Sequence, residues 1–217
     1  MKVPVVRNIL EANERIADQN RHLFNQNKVF VLNLMSSPGA GKTSLLEQTI
    51  DRLKDAIQIG VIEGDITSSY DAERIAKKGI QTVQINTEGA CHLDGNMIRE
   101  AVNQIDLPNL DLLIIENVGN LVCPAEFNVG EDAKAMILSV PEGDDKPLKY
   151  PLMFTLCKAL IINKIDLLPY VDCSMERIRD AARKLNSGIR IFEISCRTGQ
   201  GVEHWCTWLG DQIKSKA

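Results

Sequence analysis

The chain has 217 residues, 44% hydrophobic and 25% charged, with a net charge of −4. This describes one globular domain, or one with a small appendage, and excludes a wholly disordered chain. It also excludes a basic nucleic-acid or membrane-surface footprint, and no apolar run is long enough to span a bilayer. The first twenty residues carry no signal-peptide apolar block, so the expected compartment is the cytoplasm. There, six cysteines read as thiols or metal ligands rather than disulfides.

The elements follow one pattern. Residues 7–24 place Ile9, Leu10, Ile16, Ala17 and Leu23 among polar residues, which predicts a helix. Short apolar runs then recur at 29–35, 58–62, 81–85, 112–116, 135–140, 159–163 and 190–195. Amphipathic stretches separate many of them, at 43–53, 71–78, 93–104, 175–185 and 202–213. Runs with little polar alternation suit strands covered on both faces. Strand–helix alternation predicts an α/β fold, a mostly parallel sheet with helices on both faces. The N-terminal helix is expected as an appendage over 1–28, before a domain at 29–217. The stretch 141–151, rich in Pro, Gly and charge, reads as a loop.

After the first strand comes Ser36-Ser37-Pro38-Gly39-Ala40-Gly41-Lys42-Thr43-Ser44, then a helical pattern. This is the phosphate-loop motif of P-loop NTPases, with Ser36 where the first glycine is usual. Gly39 and Gly41 let backbone amides turn toward phosphate oxygens. The helix start adds its positive end to the same anion site. Lys42 can reach the β- and γ-phosphates, and the Thr43 hydroxyl can ligate magnesium. Pro38, Ala40 and Ser44 complete the cradle.

Asn163-Lys164-Ile165-Asp166 follows the sixth run and resembles the guanine-recognition motif of GTPases. A carboxylate at Asp166 can accept from N1 and N2 of guanine, a donor pair adenine lacks. Asn163 can reach N7, and the Lys164 stem can cover the base. Ser195-Cys196-Arg197 resembles the loop whose backbone amide meets guanine O6. Carboxylates also stand at strand ends. Asp65 is expected near magnesium or the attacking water, and Glu116 near magnesium. The Gly119 amide is expected to sense the γ-phosphate, and Asp71 is a second outer-shell candidate. Asp71 could equally cap the helix after it.

Cys91, His92 and Cys123 offer two thiolates and an imidazole, a soft donor set for zinc or nickel with a position left open. Free cysteines are often simply buried, so spacing alone leaves both readings open. Cys157, Cys196 and Cys206 have blander settings. His204 and Cys206, two apart on a helix, point to different faces. His22 reads as a solvated helix-end residue.

Taken in order, the phosphate loop, Glu63-Gly64-Asp65-Ile66-Thr67, Cys91-His92, the run from Glu116 to Pro124 and Asn163–Asp166 resemble one family. It is the hydrogenase nickel-incorporation GTPases, metallochaperones that help load nickel into nickel–iron hydrogenases. The resemblance implies a nucleotide-gated homodimer using GTP and magnesium, with slow hydrolysis in isolation. It also implies nickel or zinc at Cys91, His92 and Cys123 on the dimer interface. A second nickel-maturation protein and the hydrogenase large subunit are the implied partners. Two departures stand out. The phosphate loop lacks a second lysine, which leaves Lys146 and Lys149 as candidate trans-acting cations. No N-terminal cysteine motif or histidine-rich tract is present, so nickel storage is not expected. A urease-type nickel-insertion GTPase is the near alternative, although that reading expects a Cys-Pro-His motif. A regulatory GTPase with buried thiols, or a metal buffer, are the others.

Overall fold

A computed structural model describes residues 5–65 and 70–216. Residues 1–4 of the expected extension, the Ile9 side chain, and Ile66 and Thr67 of the strand-end motif lie outside what it describes. Seven strands form one sheet: β1 (Phe30–Ser36), β2 (Ile59–Asp65), β3 (Gln81–Asn86), β4 (Leu112–Glu116), β5 (Ala133–Ser139), β6 (Ala159–Asn163) and β7 (Arg190–Glu193). Their spatial order is β3-β2-β4-β1-β5-β6-β7, and every pairing is parallel. All carboxyl ends therefore open on one edge, where ligands of such sheets bind.

The helices are α1 (Val5–Gln26), α2 (Lys42–Leu53), α3 (Tyr70–Ala76), α4 (Gly95–Val102), α5 (Cys123–Glu126), α6 (Lys146–Lys149), α7 (Pro151–Leu156), α8 (Met175–Leu185) and α9 (Val202–Lys214). Successive side chains of a strand point to opposite faces, and both faces of this sheet are covered. Phe30, Leu32 and Leu34 of β1 pack with Leu45 and Leu46 of α2 and Trp205 and Leu209 of α9. On the opposite face, Val31, Leu113 and Ile115 pack with Phe24 of α1 and Ile98 of α4. Beside them Met136, Leu138 and Ile162 pack with Phe154 of α7 and Ile178 of α8. Among the described residues, no helix is long and apolar enough to cross a membrane.

The N-terminal helix packs against the sheet. Its Asn13, Ala17, Asn20 and Phe24, spaced on one helical face, are all buried. The stretch 141–151 is not a plain loop, because α6 lies within it and α7 begins at its last residue. Pro147 and Pro151 sit in the first turns of these helices, where a missing N–H costs nothing. Here proline starts a helix rather than breaking one.

Candidate functional site

The phosphate loop joins the end of β1 to α2. Gly41 takes φ 105°, a left-handed conformation, and α2 starts at the next residue. Lys42 Nζ donates to Ser36 Oγ at 3.0 Å, so the serine in the usual glycine position parks the lysine against its own strand. Burial holds the Lys42 pKa below its ordinary value, against the pull of Glu116, Asp71, Glu63 and Asp65. Gly119 lies against the backbone of Pro38, so the segment after β4 touches the phosphate loop directly.

A cleft of about 440 Å³ opens at these strand ends, lined by Gly39, Lys42, Thr43, Ser44, Asp65, Asp71 and Glu116 among others. Thr43 Oγ1 donates to Glu116 Oε1 at 3.0 Å. Glu116 and Glu63 face each other in register on β4 and β2, and both are buried. Burial pushes the Glu116 pKa up to about 7. Burial first, and then the Glu116 charge, pushes Glu63 up to about 8. Glu116 Oε2 and Glu63 Oε2 have no hydrogen-bond partner among the described residues. Two orphaned buried carboxylate oxygens beside a threonine hydroxyl suit a hard divalent cation such as magnesium. The sequence reading quoted Glu63 in its motif but gave it no role; its signal is its place two residues before Asp65 on the same strand. Asp71 is drawn into a pair with Arg74 at 2.9 Å, and Arg74 also holds Glu47.

A second cleft of about 420 Å³ adjoins the first and shares Gly41, Ser44 and Lys164 with it. Asp166, Leu167, Cys196 and Arg197 line it. Lys164 has φ 63°, strained for a side-chain-bearing residue, and its Nζ reaches across to Gly39 O at 2.7 Å. Asp166 Oδ1 accepts from Ser195 Oγ at 2.6 Å. The residues read as base contacts also bond one another. Asn163 is buried and lines this cleft, and its Nδ2 donates to Ala40 O at 3.0 Å. Its Oδ1 accepts from the Cys196 amide at 3.1 Å, so that amide is engaged within the protein. Ser195, fully buried, orients the Asp166 carboxylate. Asn163 thus ties the phosphate loop to the base loop. Lys146 and Lys149 are not free loop cations either: both pair with Asp145, and Lys146 Nζ also donates to Glu142 O.

Cys91, His92 and Cys123 come together although 32 residues separate the cysteines. Their donor atoms all lie within 4.8 Å of one another. Cys91 Sγ is 3.0 Å from Cys123 Sγ and 3.7 Å from His92 Nδ1. Cys91 lies on the loop between β3 and α4, and Cys123 opens α5. The thiol contact with Cys91, followed by burial, raises the Cys123 pKa. Burial lowers that of His92, which favours the neutral imidazole. The His92 ring packs on Phe127, centroids 3.7 Å apart. Free thiols and a neutral imidazole form a soft donor set, the chemistry that takes zinc or nickel. Lys134 fixes the cysteine turn from below. Its Nζ donates to Ala125 O at 2.8 Å and pairs with the buried Glu131. His204 is exposed and Cys206 buried, so they share no site.

Two asparagines join this cluster to the nucleotide cleft. Asn117 Oδ1 accepts from both Leu93 N and Val118 N at 3.0 Å. Asn120 donates to Cys91 O at 3.3 Å and accepts from Val122 N at 2.8 Å.

The parallel sheet, the phosphate loop and the paired clefts define a nucleotide-binding protein of the P-loop class. The nucleotide-binding domain of the family CobW/HypB/UreG matches residues 30–193. The chain belongs to this family, and its relatives place it among the HypB hydrogenase maturation factors. It is 48% identical over 204 residues to hydrogenase maturation factor HypB of Escherichia coli (strain K12), covering 94% of this chain and 70% of that one. The crystal structure of HypB from Helicobacter pylori in complex with nickel superposes with a TM-score of 0.90 at 38% identity, covering 94% of this chain and 96% of that one. That of HypB from Archaeoglobus fulgidus gives 0.88 at 36% identity, covering 94% and 99%.

Proposed function

We propose that this protein is a GTP-hydrolysing metallochaperone that carries nickel, or zinc, at Cys91, His92 and Cys123 and assists nickel insertion during hydrogenase maturation. One observation carries the reading: the thiol–imidazole cluster is hydrogen-bonded to the segment that leaves β4 beside the phosphate loop. In this reading the phosphates lie over Pro38 to Ser44 with Lys42 on them. Thr43 and Glu116 hold magnesium, with Asp65 beside it or the attacking water. Asp166 selects guanine, and Lys164 and the Ser195–Cys196 loop complete the base site. Residues 29–217 form the GTPase domain, and 1–28 an extension braced on it.

Magnesium neutralises phosphate charge when bound. The chain's own part is movement. Gly119 touches the phosphate loop, and Cys123 lies four residues further on. A γ-phosphate that draws Gly119 inward displaces Cys123, while Asn117 and Asn120 pass the shift to the Cys91–His92 loop. By linkage, metal then alters nucleotide affinity in return. Three ligands leave a coordination position open, which favours a GTP-dependent homodimer sharing the metal. Lys146 and Lys149 are held by Asp145, and hydrolysis is slow in isolation. The cytoplasm, a second nickel-maturation protein and the hydrogenase large subunit complete the reading.

The test is nickel and zinc affinity by chelator competition, with GDP and then with magnesium and a non-hydrolysable GTP analogue, tracking mass in parallel. A nucleotide-dependent change, lost in Cys91→Ala and Cys123→Ala, supports the reading. No stoichiometric metal in either state would leave an ordinary GTPase with accessible thiols.

A further inference from the structure

The two segments that carry the metal-binding side chains meet again away from the metal, on one face of α1. Gly95 lies three residues after His92, and Gly130 seven after Cys123. A side chain at Gly95 would press on Ala17 N, and one at Gly130 on Ala17 O. Both loops thus approach α1 to backbone contact at the same buried alanine. Two asparagines, four residues before Ala17 and three after, flank this seat and are nearly inaccessible to solvent. Asn13 Oδ1 accepts from Gly95 N at 2.8 Å, while its Nδ2 donates to Asn128 O at 2.8 Å. Asn20 Nδ2 donates to Gly95 O at 2.7 Å and to Val129 O at 3.3 Å. Each carboxamide therefore bonds both segments: Asn13 through its oxygen and its amide nitrogen, Asn20 through the two N–H groups of its amide nitrogen. Buried polar groups are costly unless paired, and apolar residues would have packed here more cheaply. Hydrogen bonds this specific fix the spacing of two loops rather than merely burying a helix.

We propose that Asn13 and Asn20 are positioning residues for the metal site, so that α1 sets the distance between the Cys91–His92 loop and the Cys123 turn. This rests on the reading of those three residues as a metal site. Asn13 and Asn20 act through the backbone at Gly95, Asn128 and Val129. Groups that orient metal ligands in this way typically contribute about 10- to 100-fold in affinity. Among the described residues α1 makes no hydrogen bond to the phosphate loop, so GDP affinity without metal is expected to be unchanged.

The experiment uses the full chain, with nickel alone for affinity and cobalt for the thiolate-to-metal charge-transfer absorption. Asn20→Ala is expected to weaken nickel binding about tenfold or more and shift the cobalt band, with GDP affinity unchanged. Asn13→Ala removes the bonds to Gly95 N and Asn128 O without placing a charge in the buried seat, and is expected to lose nickel affinity in the same direction, its fold checked by circular dichroism. Phe24→Leu trims the core contact of the same helix without removing a hydrogen bond. It is expected to lower Tm yet leave nickel affinity within about twofold. Wild-type affinity and cobalt spectrum in both asparagine variants would overturn the proposal, as would an equal loss in Phe24→Leu. Cys91→Ser separates the two levels. If it abolishes binding while the asparagine variants do nothing, only the role of α1 fails; if it binds as wild type, the metal reading falls and takes this inference with it.

Discussion

The nucleotide cleft stands on strand ends, whereas the thiol–imidazole cluster hangs from loops. Thr43, Glu63 and Glu116 are buried at the edge of the sheet, and their neighbours are fixed by its ladder. Cys91 and Cys123 lie on segments with no ladder between them, held by Asn117, Asn120, Lys134 and α1. The first site is therefore set by the sheet itself. The second has a geometry that follows whatever moves its supports. A rigid sensor coupled to a suspended cargo site is the arrangement a nucleotide-gated carrier needs.

The sharpest way to break this contrast is to cut a support. Lys134→Met leaves the buried Glu131 charge unpaired and strips the carbonyls under the cysteine turn. The expected loss is about 3–5 kcal/mol of unfolding free energy, read by chemical denaturation. A loss below about 1 kcal/mol, the value of an exposed pair, would mean that the turn does not hang from this ion pair. Next in size is Lys42→Ala, which should slow nucleotide hydrolysis by about 10²–10³-fold while leaving GDP-state metal affinity as it was. Metal affinity that fell in step would show that the two regions are one rigid unit. Asp166→Asn should then cut the preference for GTP over ATP by about 10- to 100-fold, measured by competition. A preference that survives would move base selection elsewhere.

The smallest effect is in pH. Glu63 and Glu116 keep protons to about 8 and about 7 that an unfolded chain releases near 4.5. The folded state therefore binds more protons in that window, and unliganded stability falls as pH rises through it. Glu63→Gln removes one such group, so Tm should fall less steeply between pH 5 and 8 by scanning calorimetry, the range flanking about neutral where both titrate. An unchanged slope would place the titration outside the cleft.

The same contrast decides what could be read without a structure. The phosphate loop is one contiguous segment whose glycines, lysine and threonine each carry a chemical requirement, so its role was legible directly. The strands were legible because apolar runs alternated with amphipathic ones. Cys91, His92 and Cys123 were legible as a soft donor set by residue type, but a 32-residue separation has no periodicity to read, and only the family resemblance favoured metal over buried thiols. Asn163 shows a subtler limit: its motif pointed toward a base, while its bonds to Ala40 O and the Cys196 amide run to backbone and leave no pattern in the sequence. The work of Asn13 and Asn20 was hidden because hydrogen bonds to backbone leave no complementary side chain in the sequence. On a helical wheel they look like polar interruptions of an apolar face.

The 3.0 Å approach of Cys91 and Cys123 has a consequence in redox terms. Accessible sulfurs this close need lose only two electrons and two protons to an oxidant to become a disulfide. A disulfide and a bound metal are mutually exclusive uses of the same two atoms. On the proposed function, metal capacity then depends on the thiol poise of the surroundings as well as on nucleotide, and bound metal would shield the pair from oxidation.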